Sequence, residues 1–178
     1  MLRLIGIYGS IAGLIAGGTL FILTVSQSGH PPLAWSMAIG YLTMLVALSA
    51  VFVAIKRRRD RDLGGVIRFW PAFGIGLAIS FVAGIFYVIA WESAVAVAHL
   101  DFATGYANEV IAEQKAKGIS PEALAKLTAS MEKFKVQYAD PLYRWPMTFA
   151  EIFPVGVIVS LISAALLRNS RFLPARRA

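Results

Sequence analysis

The chain has 178 residues, 58% of them hydrophobic, with 17 Lys and Arg against 10 Asp and Glu for a net charge of +7. A mean hydropathy of +0.68 excludes an ordinary soluble domain, which would leave too much apolar surface in water. The absence of cysteine excludes disulfides, thiol catalysis and cysteine-ligated metals. The basic balance is not read as a nucleic-acid footprint, because the cations flank apolar runs.

Four such runs cover residues 4–25, 33–55, 71–98 and 145–167. At a rise of about 1.5 Å per residue, each is long enough as a helix to cross a hydrocarbon core of roughly 30 Å. The fold class is therefore all-α: a polytopic membrane protein, one domain over 1–178, with four transmembrane helices and an extramembrane helical hairpin between the third and fourth. The first run follows Arg3 and exceeds the roughly 7–15 apolar residues of a signal peptide. Thr24 to Gly29 makes a poor small-x-small cleavage site, so the run reads as a retained helix.

That first span carries Gly9-xxx-Gly13-xxx-Gly17. The second has Ser36-xxx-Gly40, the third Gly76-xxx-Ser80-xxx-Gly84, and the fourth Gly156-xxx-Ser160-xxx-Ala164. In lipid, close packing through small residues replaces the hydrophobic drive between helices. The pattern predicts a tight bundle, with a homodimer contact through the first helix as the alternative use of its stripe.

Charge sets the expected topology. Lys56, Arg57, Arg58, Arg59 and Arg61, with Arg68, lie in the connection 56–70. Arg3 precedes the first span, and Arg168, Arg171, Arg176 and Arg177 occupy the tail 168–178. The positive-inside rule puts these segments and both termini in the cytoplasm, with the uncharged loop 26–32 outside. Trp35, Trp70 and Trp145 fall at span boundaries as an aromatic belt. The basic connection is also the expected contact for anionic lipid headgroups.

Residues 99–140 carry the hairpin. Phe102, Tyr106, Val110 and Ile111 recur at helical spacing, so the third span is expected to continue to about Lys117 and stop at Gly118. Ser120-Pro121-Glu122 is a helix start. Leu124, Leu127, Met131, Phe134 and Tyr138 follow as an a/d seam. Asp140-Pro141 ends this helix, and the chain re-enters the membrane at Arg144-Trp145-Pro146. Pro154 lies inside the fourth span, where a kink is expected.

The spans hold two carboxylates, Glu92 and Glu151. Counting helical rise places both in the outer half of the membrane, with His99 on the face of Glu92 two turns further out. Three readings follow: a hydrogen-bonded structural brace; a proton or cation site with two acids sharing a proton; and a metal site of Glu92, Glu151 and His99. The spacing matches no metalloprotease helix, and there is no Ser/His/Asp set, phosphate loop or nucleotide fingerprint.

Several longer strings carry a resemblance. They are Gly40-Tyr41-Leu42-Thr43-Met44-Leu45, Ile55-Lys56-Arg57, Leu63-Gly64-Gly65-Val66-Ile67, Tyr87-Val88-Ile89-Ala90-Trp91-Glu92 and Met147-Thr148-Phe149-Ala150-Glu151-Ile152-Phe153-Pro154-Val155-Gly156. Val159-Ser160-Leu161-Ile162-Ser163-Ala164 completes the set. Together they resemble the bacterial membrane proteins catalogued as domain of unknown function 4199. The resemblance implies four spans with a hairpin before the last, and no activity, cofactor or catalytic residue.

The expected function is that of a bacterial inner-membrane protein with a structural or interaction role and no cofactor. It is expected to self-associate, to use the periplasmic hairpin as its partner surface, and to bind no nucleic acid. A proton- or cation-coupled transporter using Glu92 and Glu151 is the alternative, and a membrane-embedded metal enzyme the second alternative.

Overall fold

A computed structural model describes residues 1–26 and 36–174. Among them are six α-helices and no strand: α1 Leu2–Ser26, α2 Ser36–Arg57, α3 Phe69–Ala98, α4 Phe102–Ala116, α5 Pro121–Tyr138 and α6 Pro141–Leu167. Four helical stretches, belonging to α1, α2, α3 and α6, are long and apolar enough to cross a membrane. Trp35, the loop 27–32 and Arg176 and Arg177 lie outside the described residues.

The four long helices form a ring in which α1 packs on α3, α3 on α6, α6 on α2 and α2 on α1. Leu48, Val51 and Ile55 of α2, Ile79 of α3, and Ile152 and Leu167 of α6 fill its centre. Small residues set the spacing. A Cβ on Gly9 would meet Val82, one on Gly13 would meet Phe86, and one on Gly17 would meet Ala90. Equal steps in the same direction make α1 and α3 parallel. The stripe of α1 is thus consumed within the chain, and the homodimer contact through it is withdrawn.

Between α3 and α6 the register runs in opposite directions: Gly76 receives Ser160, and Gly156 receives Ser80. Each serine returns its hydroxyl to its own helix, Ser80 to the Gly76 carbonyl at 3.0 Å and Ser160 to the Gly156 carbonyl at 2.6 Å. The two polar groups are satisfied while the backbones approach. Gly84, next in the series, accommodates the ring of Phe149.

A Cβ on Gly13 would lie 2.5 Å from Cβ of Phe86 and 3.1 Å from Cα of Ala83, whereas one on Gly18 meets nothing within 4 Å. Gly13→Ala is expected to lower stability by about 1–3 kcal/mol through overpacking. Gly18→Ala is expected to be neutral. Thermal unfolding of the two variants in detergent tests this, and equal melting would show that α1 does not rely on the close approach.

Three boundaries differ from the sequence expectation. The basic connection is helical at first: α2 passes into a π-helical turn, Arg58–Asp62. The i,i+4 pairs Lys56–Asp60 and Arg58–Asp62 favour the extension. Gly64 and Gly65, at φ 63° and 91°, end it. The third span does not run on to Lys117. His99 adopts the left-handed conformation and closes α3, and the Asp101 side chain starts α4 by accepting from the Thr104 amide at 3.1 Å. At the other end, α6 begins at Pro141, before Arg144. Asp140 caps it by accepting from the Leu142 amide at 2.9 Å, and proline suits the first helical position. The helix continues through Pro146 and Pro154, each of which removes one donor without ending it.

Candidate functional site

The polar residues divide between the two ends of the bundle. At one end lie the N-terminus, the π-turn and the tail. Arg57 donates to the Tyr8 hydroxyl at 3.4 Å, and the Phe172 ring meets Phe52 edge-on. Arg57, Arg61 and Arg68 are exposed, as is Trp70. Arg59 corrects the reading of that cluster, because it is fully buried. It donates to Asp60 at 2.6 Å, to the Phe172 carbonyl at 2.9 Å and to the Leu173 carbonyl at 2.5 Å. A longer contact of 3.4 Å reaches the Leu167 carbonyl at the end of α6. The guanidinium therefore satisfies helix-terminal and tail carbonyls and cannot also face lipid.

At the opposite end Glu92 of α3 and Arg144 of α6 form a two-pronged ion pair. Nε of Arg144 donates to one carboxylate oxygen and Nη2 to the other, both at 2.6 Å. Nη1 donates to the Tyr138 carbonyl at 3.0 Å. The guanidinium sits 5.6 Å from the centre of the Tyr138 ring, within cation–π range. Tyr138 closes the circuit by accepting from Trp91 Nε1 at 2.9 Å. Trp91 and Glu92 are adjacent on α3, so one turn of helix holds both sides of the joint.

The hairpin α4–α5 is seated on this joint through rings. Trp91 meets Phe102 at 5.1 Å, and Phe102 meets Tyr138 at 5.4 Å. Phe134 continues the stack to Tyr138 at 5.3 Å and to Tyr106 at 5.6 Å. Burial pushes the Tyr138 phenol up to about 12, so it stays protonated across the physiological range and accepts from Trp91 as a neutral hydroxyl. The outer flanks are polar, with Lys117–Glu113 and Lys126–Glu122 pairs exposed, as suits a surface in water.

Glu151 takes a different partner, accepting from the Tyr87 hydroxyl at 3.2 Å. Tyr87 precedes Glu92 by five residues on α3, about 7–8 Å of rise. The acids are thus engaged at separate levels. His99, beyond the end of α3, is exposed and off the helical face of Glu92. Among the described residues no three His, Asp or Glu side chains are grouped to hold a metal ion.

Sequence reading missed Arg144, Tyr138, Trp91 and Tyr87. One signal was available: Arg144 is the single Lys or Arg between residues 136 and 167, at the mouth of the fourth span; the register that sets Gly76 on Ser160 and Ser80 on Gly156 is what brings it level with Glu92. In the sequence Tyr138 is a seam residue, and nothing in its spacing reveals a carbonyl and a hydroxyl used together.

Four helices long and apolar enough to cross a membrane, with an inter-helical ion pair beneath a polar helical pair, make a small all-helical protein consistent with the multi-pass membrane class. The chain belongs to the family described as Protein of unknown function (DUF4199), whose model matches residues 7–169. Comparison with curated proteins and with solved structures finds no match.

Proposed function

We propose that the protein is a non-enzymatic membrane anchor that holds a rigid helical hairpin at the outer face of a bacterial inner membrane as a docking surface for a protein partner. In this reading α1, α2, α3 and α6 span the bilayer. The cation-rich end, with both termini, faces the cytoplasm, and α4–α5 stands in the periplasm. The observation that carries it is the engagement of Glu92. Each of its oxygens accepts from Arg144, and Arg144 is committed in turn to the base of the hairpin. Such a pair suits a brace better than a relay that must take up and release a proton.

A photocrosslinking residue placed at exposed Glu109 or Lys133 is expected to capture a discrete protein partner in intact membranes. The same residue at Ile158, exposed on α6, is expected to capture none. In proteoliposomes, purified protein is expected to pass no pH-driven current, and Glu151→Gln to change nothing. A current abolished by Glu151→Gln, with no hairpin crosslink, would overturn the reading in favour of transport.

A further inference from the structure

An open apolar groove of about 750 Å³ runs down the outer flank of α3 and α6. Phe81, Ile85 and Ile89 form one wall, and Phe149 and Trp145 the other, with Glu92 at one end. From Phe81 to Glu92 the groove follows about 16 Å of helix rise. Its shape comes from the same register that packs the bundle. Phe149 is drawn inward over Gly84, and beyond it Pro146 lines the groove with a short side chain where a longer one would fill it. Ile85, Ile89 and Trp145 are each more than two-fifths exposed, so the groove is open to its surroundings.

We infer that this groove is a lipid site that takes one acyl chain of an outer-leaflet phospholipid with a primary ammonium headgroup. The inference rests on the membrane reading above. The occupant follows from the asymmetry of the groove, which is apolar along its length and closed by a carboxylate toward its outer end. A hydrocarbon helix from another protein would leave that carboxylate facing apolar surface, at a desolvation cost. An amphiphile matches both ends. Of the ion pair, the carboxylate is the better exposed partner, 29% against 15% for Arg144, and Glu92 rather than Arg144 lines the groove. The polar lip is therefore an acceptor. Each carboxylate oxygen accepts one bond from Arg144 and Trp145 is a further hydrogen-bond partner, which leaves the carboxylate room for one ammonium donor. A quaternary ammonium lacks the N–H to use it, and a glycerol headgroup lacks the charge. Trp145, beside the lip, is suited to the interface where chain meets headgroup.

The test uses the full chain in phosphatidylcholine vesicles doped with phosphatidylethanolamine or phosphatidylglycerol, each carrying a diazirine in the acyl chain. Label is mapped by peptide on the groove and on the opposite exposed face at Leu42 and Val46 of α2. The ethanolamine probe is expected to label the groove about tenfold more than the glycerol probe, the worth of one charge-assisted hydrogen bond. Both probes are expected to label α2 alike. Glu92→Gln with Arg144→Gln is expected to remove the headgroup preference. If that variant fails to fold, Ile89→Trp, which fills the groove from an already exposed position, is expected to remove groove label and leave α2 label intact. Equal labelling by both probes in the groove overturns the proposal in favour of an ordinary annular lipid. A crosslinked dimer through Leu142 overturns it in favour of a second copy. Absence of label on α2 as well overturns the membrane reading itself, and the site with it.

Discussion

Arg59→Ala is expected to destabilise the protein by about 3–5 kcal/mol, the range for removing one member of a buried, hydrogen-bonded ion pair. Arg59 is fully buried and donates to the Asp60 carboxylate and to the carbonyls of Phe172 and Leu173. Alanine leaves a cavity, a half-buried carboxylate deprived of one of its two cations, and carbonyls with no donor. Arg59→Lys restores the charge but not the planar fork, and is expected to recover only part of the loss. Arg58→Ala removes only the more exposed Arg58–Asp62 pair and is expected to change stability by less than about 1 kcal/mol. Unfolding in detergent orders the three variants. Trypsin adds an independent readout: cleavage after Arg168 or Arg171 should accelerate in Arg59→Ala, because that side chain ties down the backbone just beyond them. Equal stability of Arg58→Ala and Arg59→Ala would contradict the clamp.

The second large effect concerns the joint. Glu92→Gln and Arg144→Gln are each expected to destabilise by about 2–4 kcal/mol, since each strands a partly buried charge. The double variant is expected to be more stable than the sum of the single losses predicts, because it strands neither. A coupling energy of about 1–3 kcal/mol from the cycle would be the mark of a direct pair. Hydrogen exchange separates a joint from a mere ion pair: Arg144→Gln should raise exchange throughout α4 and α5, because Arg144 also holds the Tyr138 carbonyl, while α1 and α2 stay protected. Additive single effects, or no change in the hairpin, would show that Glu92 and Arg144 do not brace it.

Both residues show where sequence reading stops. Arg59 sits in a run of cations whose other members share its charge and composition. Only the third dimension shows that the π-turn rotates this one side chain inward onto the tail. A charge count registers it as a topology signal and is blind to its hydrogen bonds. Arg144 was visible as a cation at the mouth of the fourth span, and Glu92 as an acid in the third. Their pairing depends on the register between α3 and α6, which Gly76, Ser80, Gly156 and Ser160 set at a distance from the pair itself. The glycines were legible as packing residues, yet the stripe of α1 has the same pattern whether its partner is α3 or another copy of the chain. The choice falls to the bundle because α3 presents Val82, Phe86 and Ala90 at matching steps.

What the sequence determined by itself is the set of local properties: four apolar helices long enough to cross a membrane, the start at Ser120, the stop at Gly118, and the asymmetry of charge between the two ends. These follow from hydropathy, capping chemistry and composition, each read within a few residues. The tertiary structure alone decided the break at His99, the inward turn of Arg59, the separate partners of Glu92 and Glu151, and the groove beside them. Each depends on which helices become neighbours and in what register, and that is settled by backbone approach at a few small residues far along the chain from the groups they bring together.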